Sequence, residues 1–306
     1  MPELPDILLY LHALEPRIVG RRIERIRLAS PFLLRSIDPP LQAFEGRFVT
    51  GLRRVGKRIV FACEDEHFLI LHLMIAGRLR WKPPGAAVPA KVGLLAIDVD
   101  AGTLLLTEAG STRRASLHAA RGPDALALHD PGGLDVLDAS PEGFATTLAS
   151  EPHTLKRALT DPHLFSGIGN AYSDEILHAA RLSPFKLTTA LTPDETVRLY
   201  DAARATLTQW IDRLQRESGG AFPDKVTAFR EGMAVHGRHG RPCPVCGAPV
   251  QRIVYAANEA NYCAPCQTGG RLLADRALSR LLRDDWPRTI EELERRPGRR
   301  DARSDT

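Results

Sequence analysis

Leu4, Leu8, Leu11 and Leu14 recur at three- and four-residue intervals, with Ile7 beside them, the spacing of one face of an α-helix. Pro5 suits the first turn of that helix, where its missing N–H costs nothing, and Pro16 is expected to end the run. The next hundred residues change period. Arg22 to Ser30, Phe48 to Val55, Arg58 to Cys63, Phe68 to Ile75, Leu94 to Val99 and Thr103 to Thr107 are short runs rich in β-branched and aromatic residues. Gly-Lys, Glu-Asp-Glu and Asp-Ala-Gly interrupt them as turns, so an antiparallel sandwich or barrel is expected. From about Pro141 the helical period returns: Glu142 to Ala149, Leu155 to Leu159, Asn170 to Ala180 and Asp194 to Arg216 read as helices. Gly167-Ile-Gly and Leu182-Ser-Pro mark turns between them. Leu272 to Leu282 is apolar at helical spacing. The Arg/Asp-rich tail after Pro297 is expected to be disordered.

The fold class predicted is multidomain α+β. An N-terminal domain over 2–130 carries a helix and an antiparallel β-sandwich. A helical domain follows over 141–235, a small cysteine-bearing module over 236–270, and an extension over 271–306, partly helical and then disordered. A chain of 306 residues with 43% apolar content supports more than one domain. No run approaches 18 uninterrupted apolar residues and no basic-then-apolar leader opens the chain, so neither membrane spanning nor secretion is expected. The net charge of +4 permits a nucleic-acid partner without demanding one.

Four of the five cysteines form two knuckles, Cys243-Pro-Val-Cys246 and Cys263-Ala-Pro-Cys266, sixteen residues apart. Four thiolates so paired suit one tetrahedral Zn²⁺, and with every position filled by sulfur the metal is structural. Cys63, inside Arg58-Ile-Val-Phe-Ala-Cys, is expected to be a core thiol.

The opening Met-Pro-Glu-Leu-Pro, together with a late four-cysteine ribbon, resembles the formamidopyrimidine-DNA glycosylase and endonuclease VIII family. Arg54-Val-Gly-Lys-Arg-Ile carries that family's Gly-Lys turn. His72-Leu-Met-Ile-Ala-Gly resembles its His-Leu-Gly-Met-Ser-Gly segment. Phe165-Ser-Gly-Ile-Gly-Asn-Ala-Tyr-Ser-Asp-Glu resembles its Gly-x-Gly-Asn-x-Tyr signature, and Val235-His-Gly-Arg leads into the ribbon as the family does. The resemblance covers Pro2 to Gln267. It implies a helix-two-turn-helix domain between the sandwich and the zinc ribbon.

It also implies a chemistry. Removal of Met1 exposes the secondary amine of Pro2, and an α-amine near a helix start is a usable nucleophile. In enzymes resembling this one, that proline attacks C1′, displaces the damaged base as an iminium, and β,δ-elimination cleaves the strand. Glu3 serves the sugar and the proton transfers. Lys57 resembles the lysine that grips a phosphate beside the lesion. Asn170, after two glycines that let backbone approach closely, is placed either on a phosphate or as a helix cap. Ile75, Arg114 and Ala115 match the family's gap-filling methionine, arginine and phenylalanine. Asn258 matches the ribbon arginine that binds phosphate, with Asn261 nearby as a partial substitute.

Several departures stand out. Asp6 replaces glutamate and is one methylene shorter, which suits capping of the first turn. Ala115 offers no aromatic stack, and Asn258 offers no charge. The segment from Gly219 to Phe229 is short for the loop that caps 8-oxoguanine in some members. The expected function is a bifunctional DNA glycosylase and abasic-site lyase. The alternative left open is a weak or inactive DNA-damage binding protein of the same fold. The partner expected is damaged DNA, favouring single-stranded, abasic or poorly stacked lesions, and the protein is expected to be monomeric and cytoplasmic, at the nucleoid if bacterial.

Overall fold

Helix α1 runs from Leu4 to Ile18 in the computed structural model, which describes residues 1–110, 112–223, 226–227, 229–255, 258–274, 289–290 and 292. Leu4, Ile7, Tyr10, Leu14 and Ile18 are fully buried, as the apolar spacing requires. The helix continues two residues past Pro16. A proline in the last turn forfeits a single intrahelical bond, and Arg17 satisfies a carbonyl of that turn, that of Ala13, at 2.6 Å.

Two four-stranded antiparallel sheets follow. One has the order β1 (Arg25–Leu28), β6 (Gly93–Val99), β7 (Gly102–Glu108), β5 (Gly77–Lys82); the other has β2 (Val49–Val55), β3 (Arg58–Cys63), β4 (His67–His72), β8 (Ser116–Arg121). The expected series lacks β5 and β8. Both are edge strands. Gly-Arg-Leu-Arg-Trp-Lys puts a cation at every second position, and Ser-Leu-His-Ala-Ala-Arg has low intrinsic strand preference. Pairing to β7 and β4 makes them strands.

The facing sides of the sheets supply Leu79, Ile97, Leu104 and Leu106 on one side and Ile59, Phe61, Leu69 and Leu71 on the other. Burying each such side chain contributes about 1.5–3 kcal/mol. Cys63 is 3% exposed in this core, and burial pushes its thiol up to about 12. On the outer face of the second sheet, Val60, Phe68, Ile70 and Ala120 are covered by Leu126 of α2 (Pro123–Ala127), a short helix the periodicity did not predict.

The helical domain comprises α3 (Pro141–Ala149), α4 (Leu155–Thr160), α5 (Asn170–Ala179) and α6 (Pro193–Ser218). A reciprocal cap starts α6: Thr192 Oγ1 accepts the Glu195 N–H, and the Glu195 carboxylate accepts the Thr192 N–H. Gly219, at φ +54°, ends it. Phe144, Phe165, Tyr172, Leu207 and Trp210 belong to the same apolar cluster as α1 and the sandwich, so the two domains share one core. Arg54 reinforces the join. It donates to Gly56 O and Ser166 Oγ and pairs with Asp135.

The ribbon is a hairpin, β9 (Gln251–Tyr255) with β10 (Asn258–Tyr262), followed by α7 (Ala264–Thr268). Most of the helix expected over 272–282, and the tail after Pro297, lie outside the described residues. Among the described residues no helix is long and apolar enough to cross a membrane.

Asp174 on α5 ties the ribbon to the helical domain. Its Oδ1 accepts from Lys156 Nζ at 2.5 Å, and its Oδ2 from His236 Nδ1 at 2.8 Å and Asn261 Nδ2 at 3.2 Å. The lysine and aspartate side chains are 2% and 0% exposed. Glu175 beside it accepts three backbone N–H groups, from Ala234, Val235 and His236. Asp174→Ala is expected to leave the Lys156 ammonium buried without its carboxylate and to cost about 3–5 kcal/mol. Differential scanning calorimetry should show this as a lowered melting temperature; an unchanged melting temperature would contradict it.

Candidate functional site

The Gly167-Ile-Gly turn brings the beginning of the chain and the beginning of α5 together. Leu4 N–H donates to Gly167 O at 2.9 Å. Gly167 has φ +81°, and a side chain there would meet Leu4 Cβ at 2.8 Å, so both its conformation and its space call for glycine.

The Glu3 side chain then lies across the first turn of α5. Oε2 accepts from Gly169 N–H at 2.8 Å and Tyr172 N–H at 3.1 Å, and Oε1 from Ala171 N–H at 2.8 Å. Helix starts leave such donors unmatched, and a carboxylate is favoured there by the helix dipole. The cap weighed for Asn170 is therefore provided by Glu3 from the other domain. Asn170 itself is the first residue of α5 and half-buried; its carbonyl accepts from Lys156 Nζ at 2.6 Å.

Lys57 stands at the turn between β2 and β3, as its sequence context suggested. A Cβ added to Gly169 would lie 2.6 Å from Glu3 Cδ and 2.7 Å from Lys57 Nζ, so both groups crowd one point. Burial pushes the Lys57 ammonium below its ordinary range, Lys156 adds to the effect, and Glu3 opposes it. Pro2 is buried behind a partly exposed Met1. The Met1 amine is pushed below its ordinary value of 8.0 by burial, with Arg78 and Lys57 lowering it further and Glu3 and Asp6 opposing.

Asp6 caps the first turn, accepting the Glu3 N–H at 2.9 Å on Oδ2.

The remaining positions are spread around this centre. Ile75 is 57% exposed at the tip of the Leu73–Gly77 turn. Met74 precedes it at φ +52°, where the family segment has glycine; such a conformation costs a non-glycine residue about 1–2 kcal/mol. Arg114 is exposed, its N–H held by both oxygens of the buried Glu108 at 3.0 Å. Ala115, matched to the gap-filling phenylalanine, is 4% exposed within the main core. It is a core position and not a gap-filling one. Asn258 begins β10, and its side chain lies outside the described residues. Asn261 does not substitute for the missing arginine: it is 1% exposed and bound to Asp174 and Glu259.

The four ribbon sulfurs all lie within 4.8 Å of one another. Cys243 and Cys266 are 4.0 Å apart, and Cys246 and Cys263 are 3.3 Å apart. Disulfide sulfurs would be at about 2.05 Å, whereas four sulfurs at about 2.3 Å from one Zn²⁺ sit roughly 3.8 Å from each other. The cluster is a four-cysteine zinc site, one per chain. His178 on α5 reaches Cys243 Sγ with Nε2 at 3.3 Å, the kind of outer contact that orients a metal ligand.

Lys156, Asp174, Glu175, His178 and His236 were given no individual role from the sequence, and Arg230 stood out there only as one of the arginines flanking the ribbon. The one available signal was the pair of adjacent carboxylates in Tyr-Ser-Asp-Glu, on a helix otherwise fully buried through that turn.

Among the described residues, only Val235, Ala248 and Val250 pack with the cysteines, and a second small cluster joins Ile253, Tyr262 and Ala264. Removing the metal should therefore unfold it. Freshly purified protein is expected to contain one zinc per chain by metal analysis. Cys263→Ser should abolish the metal and weaken DNA binding while the sandwich stays folded by circular dichroism; a zinc-free protein with intact DNA binding would overturn this.

Comparison with known proteins agrees with this architecture. Residues 1–114 match the formamidopyrimidine-DNA glycosylase N-terminal domain, and residues 133–219 match the H2TH domain of the same glycosylase. The chain is 33% identical over 286 residues to formamidopyrimidine-DNA glycosylase of Thermus thermophilus, covering 88% of this chain and all of the relative. It is 42% identical over 151 residues to an uncharacterized formamidopyrimidine-DNA glycosylase-like protein of Mycobacterium tuberculosis, covering 49% of this chain and 94% of that protein. The crystal structure of the MutM (Fpg) protein of T. thermophilus superposes with a TM-score of 0.74 at 32% identity, over 87% of this chain and 98% of that one. Lactococcus lactis Fpg bound to DNA containing an abasic site gives 0.76 at 25% identity, over 87% and 99%. The order of sandwich, helix-two-turn-helix and four-cysteine ribbon, and the extent of these matches, lead to one conclusion: the chain belongs to the formamidopyrimidine-DNA glycosylase family.

Proposed function

We propose that the protein is a bifunctional DNA glycosylase and abasic-site lyase acting on oxidised or ring-opened bases. The observation that carries the reading is the fixed Glu3 carboxylate, bound by three backbone N–H groups of α5 and crowded with Lys57 against Gly169. With Met1 removed, the neutral Pro2 nitrogen attacks C1′. The C1′–base bond breaks and the base leaves with the proton lost from nitrogen; Glu3 then protonates O4′, the C1′–O4′ bond opens, and C1′ and nitrogen share an iminium. Glu3 manages the protons at the sugar. Loss of the C2′ proton then expels the 3′ phosphate, and a second elimination expels the 5′ phosphate. Lys57 and Asn170 hold the phosphates beside the lesion. Ile75 and the exposed Arg114 fill the space left by the extruded nucleotide.

Substrate preference follows from what is missing. Ala115 is closed in the core and supplies no stacking, which elsewhere is worth about 1–3 kcal/mol per base. Asn258 brings no cation to the phosphate. Extrusion costs least at abasic, mismatched or single-stranded sites, so these are the favoured substrates. The same two losses favour the second reading, a damage-binding protein with little activity. Borohydride separates them. Treatment of the trimmed protein with lesion-containing duplexes and single strands is expected to yield a covalent adduct, fastest on abasic and single-stranded DNA. Binding without adduct on every substrate would establish the second reading.

Two further outcomes are specific to this geometry. Only the neutral form of the freed Pro2 amine attacks. Adduct formation is therefore expected to rise with pH as that amine loses its proton; protein retaining Met1, whose Pro2 nitrogen is an amide, should form none. Gly169 has an extended backbone that alanine adopts without strain. Gly169→Ala is thus expected to act by displacing Glu3 and Lys57, lowering the single-turnover rate at least roughly tenfold, about 1.4 kcal/mol of barrier, and lowering the melting temperature as well, since Glu3 also caps α5. Wild-type rates in Gly169→Ala would remove this pair from the mechanism.

A further inference from the structure

Arg230 lies in the connection between α6 and the ribbon. Its Nη2 donates to Asp6 Oδ1 at 2.5 Å. The other oxygen of that carboxylate holds the Glu3 N–H. Asp6 is 1% exposed, and the Arg230 side chain 13%. One buried carboxylate thus joins a residue 224 positions away to the backbone of the catalytic dipeptide. Among the described residues Arg230 Nε is buried without a hydrogen-bond partner, and Asp6 accepts from Nη2. The same connection is fastened to α1 at its far end, where Arg17 Nη2 donates to Gly220 O at 2.8 Å and Phe222 lies against Tyr10.

We propose that Arg230 is a positioning residue, which holds the Asp6 carboxyl in place and through it fixes the backbone that aims Pro2 and Glu3. The inference rests on the glycosylase reading of those two residues. Its physical basis is a competition at Asp6. Burial, the largest influence, raises the carboxyl above its ordinary range, and the nearby Glu3 carboxylate adds to this; the Arg230 charge and its hydrogen bond, with the Glu3 N–H, favour the anion. Tyr10, Tyr172 and the terminal amine are the other titratable groups that feel Asp6. Removing the cation lets Asp6 take up a proton at higher pH than in the intact protein. The Glu3 N–H then loses its anionic acceptor as pH falls through that point.

The test is single-turnover borohydride trapping of the full, Met1-trimmed chain on duplex DNA with a preformed abasic site, across pH. In Arg230→Gln the acid limb should move up by about one pH unit, seen as a roughly tenfold loss near pH 6 that fades toward pH 9. Asp6→Asn added to Arg230→Gln removes the titrating group, so the pH profile should regain the wild-type shape. An equal loss at every pH, or no loss, would overturn the proposal. If the wild type forms no adduct at all, the glycosylase reading fails instead, and the Asp6 carboxyl is followed directly by ¹³C NMR. Titration shifted to higher pH in Arg230→Gln supports the latch, and an unmoved titration overturns it.

Discussion

The carboxylate of Glu3 at the first turn of α5 is the contact on which the rest of the architecture depends. It is made between the third residue of the chain and residues 169 to 172, so it exists only when the sandwich and the helical domain are docked. A helix start buried without partners would leave several donors unmatched. Here the catalytic candidate is also the cap, and neither domain completes the site alone. The shared apolar core and the Arg54 clamp to Ser166 and Asp135 make that docking permanent.

Two amines share this pocket, and their ordinary values separate them. Burial pushes both the Met1 amine and Lys57 down, from 8.0 and 10.5 respectively. An α-amine starts lower than a lysine side chain whichever residue carries it. The division of labour proposed for Pro2 and Lys57, nucleophile and phosphate ligand, follows that difference. Glu3 favours the charged form of each amine, against the burial that disfavours it.

Much of the fold was legible because its signals are local. The leucine spacing of α1, the helical period over Asp194 to Arg216 and the two cysteine knuckles each lie within a short stretch of chain. The edge strands β5 and β8 were not legible, since only a neighbour's hydrogen bonds make them strands. The same holds at the site. Lys57 and the Gly167-Ile-Gly turn carry a family pattern, whereas Asp174 is an acidic residue whose importance comes from Lys156, His236 and Asn261, far away in sequence. At Ala115 the sequence showed the loss of the aromatic ring but not that the position is closed in the core, since matching a motif gives a position and not the direction in which it faces.

Helix α5 is held at both ends by groups outside its own domain. Its first turn binds Glu3, while Asp174, Glu175 and His178 grip the ribbon and its sulfur ligand Cys243. A short, rigid element of this kind makes the two sites thermodynamically reciprocal. Any free energy that metal binding contributes to ordering α5 would be felt at the Glu3 carboxylate. By the same necessity, any ligand that orders that turn would raise the affinity of the ribbon for its zinc by the same factor.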